Sequence, residues 1–85
     1  MAEQVTYYAI VDDYSSRDEP SGVLRRVEYD GGQRDEAFGR NLRWGHTSML
    51  YSYERGNRDN ELYQITEEEA GRIVERIRRS AGGEE

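Results

Sequence analysis

The stretch Val23–Gly32, with the sequence VLRRVEYDGG, combines the pattern of a strand with that of a tight turn. Its first seven residues alternate between two sides of an extended chain, which places Val23, Arg25, Val27 and Tyr29 opposite Leu24, Arg26 and Glu28. Asp30-Gly31-Gly32 follows at once, and glycine supplies the positive φ that a primed hairpin turn requires. The pattern therefore predicts a strand that turns back sharply on itself.

The return strand of this hairpin is expected over residues 33–44. One side of it would carry Glu36, Phe38, Arg40, Leu42 and Trp44. The Phe, Leu and Trp side chains make this the expected core face, and Gly39 suggests a β-bulge.

Upstream, residues 5–11 are rich in β-branched and aromatic side chains and predict a first strand. Period 2 puts Val5, Tyr7, Ala9 and Val11 on one face and Thr6, Tyr8 and Ile10 on the other. Residues 12–22 then have the composition of a loop. Whether the acidic part of this loop, residues 12–19, is ordered is left open by the sequence.

Downstream, Thr47 can cap a short helix over 48–55, with Gly56 at its C-terminal end. Residues 56–60 are polar, and 61–65 predict a last strand. A capping box begins at Thr66, and the spacing of Ala70, Ile73, Val74 and Ile77 predicts an amphipathic helix over 67–80. Residues 1–4 and 81–85 are expected to be flexible.

These elements predict an α+β fold in a single domain, residues 1–85. We expect an antiparallel sheet of three or four strands, with the C-terminal helix packed on one face and the short helix near residues 48–55. The sequence does not say which face the long helix covers, nor in which order the strands lie.

Composition narrows the function classes. The chain has 85 residues, a formal net charge of −6 and no cysteine, which excludes disulfides and thiolate chemistry. All twelve basic residues are Arg, so a P-loop lysine is excluded as well. We expect a cytoplasmic protein without a membrane segment, because the sequence has neither a long apolar run nor a signal sequence. The negative charge makes nucleic acid an unlikely partner.

Two features raise the possibility of a catalytic or metal site. Asp12, Asp13, Asp18 and Glu19 could supply oxygen ligands, but Arg17 stands where an EF-hand loop needs Gly and Val23 where it needs Glu. His46, the one histidine, could act as a general base but has no evident partners. The expectation is therefore no metal, no cofactor and no catalytic residue.

Seven Tyr and one Trp are more than so small a core can enclose with every polar group satisfied. Because Tyr and Arg are enriched at protein interfaces, we expect a non-enzymatic interaction or accessory module that binds a protein partner or a second copy of itself. The predicted interaction surface is Tyr8, Ile10, Leu24 and Arg26.

Three alternatives stay open. The aromatic residues could all belong to the core and rim of a monomer. A small-molecule-binding or enzymatic domain would use a pocket near Trp44, His46 and Tyr51. Nucleic-acid binding would use the Arg groups at residues 25–26, 40–43, 55–58 and 72–79.

The stretches YYAIVDD (7–13), GVLRRVEYDGG (22–32) and ITEEEA (65–70), with Trp44 between the last two, resemble those of small uncharacterised proteins from actinobacteria. The resemblance covers most of the chain. It implies no reaction, cofactor or partner, so no functional residue follows from it.

Overall fold

The computed structural model describes residues 3–13, 15–39, 41–56 and 60–82. It contains five strands and two helices, which confirms the α+β class. In chain order they are β1 (Gln4–Val11), β2 (Gly22–Tyr29), β3 (Gly32–Phe38), β4 (Trp44–His46), α1 (Met49–Glu54), β5 (Glu61–Ile65) and α2 (Glu67–Gly82). Residues 81 and 82 thus close α2, while residues 1–2 and 83–85 of the predicted ends lie outside the described residues.

The strands form one sheet in the order β4-β3-β2-β1-β5, in which all neighbours run antiparallel. The predicted β2–β3 hairpin is present, with Tyr29 paired to Gly32 across a two-residue turn. Gly31 has a φ of 91°, but Asp30 does not share a positive φ, so the turn is not of the primed type that the Gly-Gly pair suggested.

The return strand is shorter than predicted. β3 ends at Phe38, and the Leu42 N–H donates to the Gly39 carbonyl at 2.9 Å, which closes a turn that brings Trp44 back beside Phe38. Leu42 has a left-handed φ of 61° and is 36% exposed, so the prediction that it lies on the core face was wrong. The predicted return strand is thus divided into two strands, β3 and β4, which are joined by a reversal of the chain. Arg40 lies outside the described residues.

Each face of the sheet is covered by one helix. The register defines an α2 face, which carries Val5, Tyr7, Ala9, Val11, Val23, Arg25, Val27, Tyr29, Arg34, Glu36, Phe38, Trp44, His46, Glu61, Tyr63 and Ile65. α2 packs mainly on β1 and β2 and buries Ala70 and Ile77 there. On the opposite α1 face, Leu50 of α1 packs in a cluster with Ile10, Leu24 and Leu62.

Local signals fix both helix starts. The Met49 N–H donates to the Thr47 hydroxyl oxygen at 3.1 Å, although the residue at the cap position itself is Ser48. At α2 the predicted capping box is present: the Thr66 N–H donates to the Glu69 carboxylate at 2.9 Å, and the Glu69 N–H donates to the Thr66 hydroxyl at 3.1 Å. Neither helix, within the described part of the chain, is both long and apolar enough to cross a membrane.

Candidate interaction surface

On the α2 face, several side chains of β2, β3 and β4 stay partly exposed next to the residues that α2 covers. α2 packs mainly on the central strands β1 and β2, so polar and aromatic side chains nearer the β4 edge stay partly exposed. We call this the Arg–aromatic surface, formed by Arg25, Tyr29, Arg34, Glu36 and Trp44. Strand pairing assembles it, since Arg25 is opposite Glu36 and Trp44 is opposite Phe38.

Arg25 and Trp44 form the centre of the surface. The Arg25 guanidinium carbon lies 3.9 Å from the centre of the Trp44 ring, within cation–π range. The same guanidinium contacts the Glu36 carboxylate at 2.7 Å through Nη2 and at 2.8 Å through Nε. The Glu36 carboxylate and the Trp44 ring thus both restrain the Arg25 guanidinium.

Tyr29 and Arg34 form the open end of the surface. The Arg34 guanidinium carbon is 5.9 Å from the Tyr29 ring centre, and its Nε lies 3.5 Å from the second Glu36 oxygen. Tyr29 is 42% exposed and the Arg34 side chain 46% exposed. Arg34 is therefore the guanidinium of this surface most accessible to an external anion.

Phe38 connects the surface to the core. It is fully buried, and its ring lies 5.5 Å from that of Trp44 at 50°. Arg78 of α2 places its guanidinium carbon 5.6 Å from the Phe38 ring centre. Trp44 therefore packs against a fully buried side chain of the core.

The interaction surface predicted from sequence lies on the other side of the sheet. Ile10 and Leu24 are 7% and 0% exposed, because α1 covers them with Leu50. They are core residues in this conformation and offer no surface to a partner. The partly buried Tyr8 packs against the same cluster, and burial raises the pKa of its hydroxyl.

Arg26, the fourth residue of that predicted surface, belongs to a largely buried ion network. Its Nε and Nη2 donate to the two Asp35 oxygens at 2.8 and 3.0 Å, and its Nη1 donates to Glu54 of α1 at 3.0 Å. The Arg26 and Asp35 side chains are 13% and 9% exposed. The hydrogen bond to Asp35 is the main reason that the pKa of Arg26 is raised. The network ties α1 to the sheet.

Trp44, His46 and Tyr51, the residues of the predicted ligand pocket, do not line a common pocket in the structure. Trp44 belongs to the Arg–aromatic surface, whereas Tyr51 is 55% exposed on α1 and contacts Arg55. His46 is exposed and lines an open groove with Met49 and Asn60 that includes neither Trp44 nor Tyr51.

The acidic loop is held by local hydrogen bonds. The Ser15 hydroxyl donates to the Asp12 carboxylate at 2.9 Å, and Ser16 and Glu19 exchange backbone hydrogen bonds at 3.1 and 3.3 Å. Arg76 of α2 donates to the Pro20 carbonyl at 2.7 Å, which ties the loop to the helix. Among the residues that the structure describes, no group of three or more acidic or histidine side chains could hold a metal ion.

The Arg groups proposed for nucleic-acid binding are divided between the faces. Arg25 lies on the α2 face and Arg26 on the α1 face. Arg72, on the surface of α2, lies 3.5 Å from Glu68. Arg40 and Arg58 lie outside the described residues.

Comparison with protein-family models, with curated proteins and with solved structures found no match to this chain. The resemblance to small actinobacterial proteins therefore stays a prediction.

Part of the Arg–aromatic surface follows from the sequence through the register of the β2–β3 hairpin. A two-residue hairpin turn fixes the register, and counting back from Tyr29 and Gly32 places Arg25 opposite Glu36. The position of Trp44 beside Phe38 had no such signal, because it depends on the reversal after β3.

Proposed function

We propose that this protein is a non-enzymatic protein-interaction module that binds a protein partner through the Arg–aromatic surface. The observation that carries the proposal is the contact of the Arg25 guanidinium with the Trp44 ring, held by Glu36 in a partly exposed region of the α2 face. Its cysteine-free sequence fits a reducing compartment, and we place the protein in the cytoplasm.

The residue types of the surface support this assignment. Trp, Tyr and Arg are the side chains most enriched among residues that dominate binding energy at protein interfaces. Trp44 and Tyr29 offer rigid rings that lose little conformational entropy on binding, and Arg25 is already held in place. The side chains of an interface centred on Trp44 would therefore lose little conformational entropy on binding.

Charge indicates what the partner presents. Glu36 contacts both Arg25 and Arg34, so the surface keeps one net positive charge within a chain of net charge −6. Because Arg34 is the more exposed and more weakly held of the two, we expect a carboxylate of the partner to bind it. Nucleic acid is disfavoured by the acidic chain, which repels a phosphate backbone at long range.

Affinity capture from the lysate of the source organism tests the proposal. Tagged wild-type protein, Arg34→Ala and Trp44→Ala are compared after nuclease treatment, with bound proteins identified by mass spectrometry. Tyr51→Ala is the matched control, because Tyr51 is an exposed aromatic stacked with an Arg on α1.

We expect wild type and Tyr51→Ala to retain the same protein, and Trp44→Ala and Arg34→Ala to bind it about tenfold more weakly or worse, as hot-spot substitutions do. Circular dichroism of each variant checks that the fold is intact. A partner that all four proteins retain equally, or that nuclease removes, would show that the assignment is wrong.

A further inference from the structure

The edge of the sheet opposite β4 carries a second contact surface, independent of the proposed function. β5 has a neighbour on one side only, since the strand order ends β2-β1-β5. Its five residues, Glu61–Ile65, pair with β1 from Tyr7 to Val11. In the described part of the chain, the outer side of β5 is therefore an open strand edge.

The hydrogen bonds of β1 show which backbone groups of β5 point outward. The Ser21 N–H, at the start of β2, donates to the Ile10 carbonyl at 2.8 Å, so the backbone groups of Ile10 point toward β2. In an antiparallel sheet the direction alternates from residue to residue. Leu62, which is opposite Ile10, and Gln64 thus direct their N–H and C=O groups away from β1.

β5 lacks the features that usually protect an edge strand. Proteins block such edges with proline, with basic side chains, with bulges or by making the strand very short. β5 has neither proline nor Lys or Arg, it is of ordinary length, and its one charged residue, Glu61, is at its end.

We propose that β5 pairs antiparallel with β5 of a second copy of this chain, around a two-fold axis at Tyr63. This register places Leu62 of each copy opposite Gln64 of the other. Each of these two pairs exchanges two backbone hydrogen bonds, so all outward N–H and C=O groups of Leu62 and Gln64 in both strands are paired. Tyr63 meets its own copy as a non-hydrogen-bonded pair.

Side chains also match in this register. Glu61 lies opposite Ile65 of the other copy, so the two Glu61 side chains stay about 14 Å apart, a distance of four residues along the strand. The two Tyr63 rings lie on the same face, where aromatic cross-strand pairs are favourable. Arg17 already stacks on Tyr63 at 4.7 Å and supports the ring from its own chain.

The pairing of two five-residue strands is a small interface, so we expect weak association that appears at high protein concentration. Sedimentation equilibrium should show a species of twice the 9.9 kDa chain mass. Gln64→Pro should abolish it, because proline removes an outward N–H and no bond to β1. Gln64→Ala is the matched control, since it changes the exposed side chain and keeps the backbone donor.

Because the chain has no cysteine, a single introduced cysteine can test the register by cross-linking. This test does not depend on whether Gln64→Pro folds. Tyr63→Cys places two thiols on Cα atoms about 4.5 Å apart, and diamide should join them into a disulfide-linked dimer. Glu61→Cys is the control, because its two thiols are too far apart in this register. We expect cross-linking of Tyr63→Cys to be about tenfold faster or more, since only its geometry fits a disulfide.

Two results would overturn the proposal. One is a wild-type protein that stays monomeric at the highest concentration reached, with equal cross-linking of the two cysteine variants. The other is a dimer that a folded Gln64→Pro variant leaves intact, because its interface must then lie on another surface.

Discussion

Arg25 and Arg26 are neighbours in sequence with opposite roles. Arg25 lies on the α2 face against Trp44, while Arg26 is enclosed on the α1 face by Asp35 and Glu54. The alternation of β2 predicts that they point apart, but not which of them is enclosed. That depends on α1, whose position over the sheet is set by contacts far away in sequence.

Removing Arg26 should be far more damaging than removing Arg25. Arg26→Ala leaves the Asp35 carboxylate buried without its bidentate partner and should lower the free energy of unfolding by about 3–5 kcal/mol. Arg25→Ala removes a partly exposed ion pair and a ring contact and should lower it by about 1 kcal/mol. Urea unfolding followed by circular dichroism measures both, and equal losses would contradict this account of the Arg26 network.

Leu42 stores backbone strain, since it is the one described non-glycine residue with a positive φ. Leu42→Asn should stabilise the fold by up to about 1 kcal/mol, because asparagine tolerates the left-handed conformation. Leu42→Ala keeps the strain and is the control. Thermal unfolding of both variants measures the effect. Equal unfolding temperatures for Leu42→Asn and Leu42→Ala would contradict the account of strain at Leu42.

At the scale of elements, the position of the β2–β3 turn and the start of α2 follow from local sequence signals, whereas the division of the return strand does not. The Thr66–Glu69 capping box and the start of the β2–β3 turn depend on residues close in sequence, and both are where the sequence places them. The split of the return strand at Gly39 is different. It depends on the pairing of Trp44 with Phe38 across a turn. The alternation of side chains along a strand does not predict such a reversal.

The capping box should make α2 sensitive to acid. The hydrogen bond from the Thr66 N–H is the main reason that the pKa of Glu69 lies below its ordinary value of 4.5. As the pH falls through 4.5, the unfolded chain takes up this proton first, so the stability that Glu69 contributes above 4.5 is lost as the pH falls through the folded-state pKa.

Glu69→Gln tests this by unfolding across a pH series. We expect wild type to be the more stable protein above pH 4.5 and the difference to shrink toward lower pH. A difference that stays constant from neutral to acidic pH would mean that the carboxylate charge does not contribute to the cap.

For the whole molecule, composition and periodicity predict the α+β class, the long helix and four of the five strands. They do not predict which face each helix covers, and the location of the proposed interaction surface depends on that choice. With α1 over Ile10 and Leu24, we propose that a partner binds the partly exposed side chains of the α2 face, above all Trp44 and Arg34.

The proposal that a protein partner binds the Arg–aromatic surface can be tested by tryptophan fluorescence. Trp44 is the single tryptophan of the chain and lies at the centre of this surface. The captured partner is titrated into the protein while Trp44 emission and its quenching by acrylamide are recorded. A partner that contains Trp is first produced with 4-fluorotryptophan, which is essentially non-fluorescent, so that only Trp44 is observed. We predict that binding shifts the emission to shorter wavelength and protects Trp44 from acrylamide, and that Arg34→Ala moves the midpoint about tenfold or more to higher concentration. Saturable binding by calorimetry that leaves Trp44 emission and quenching unchanged would contradict the claim.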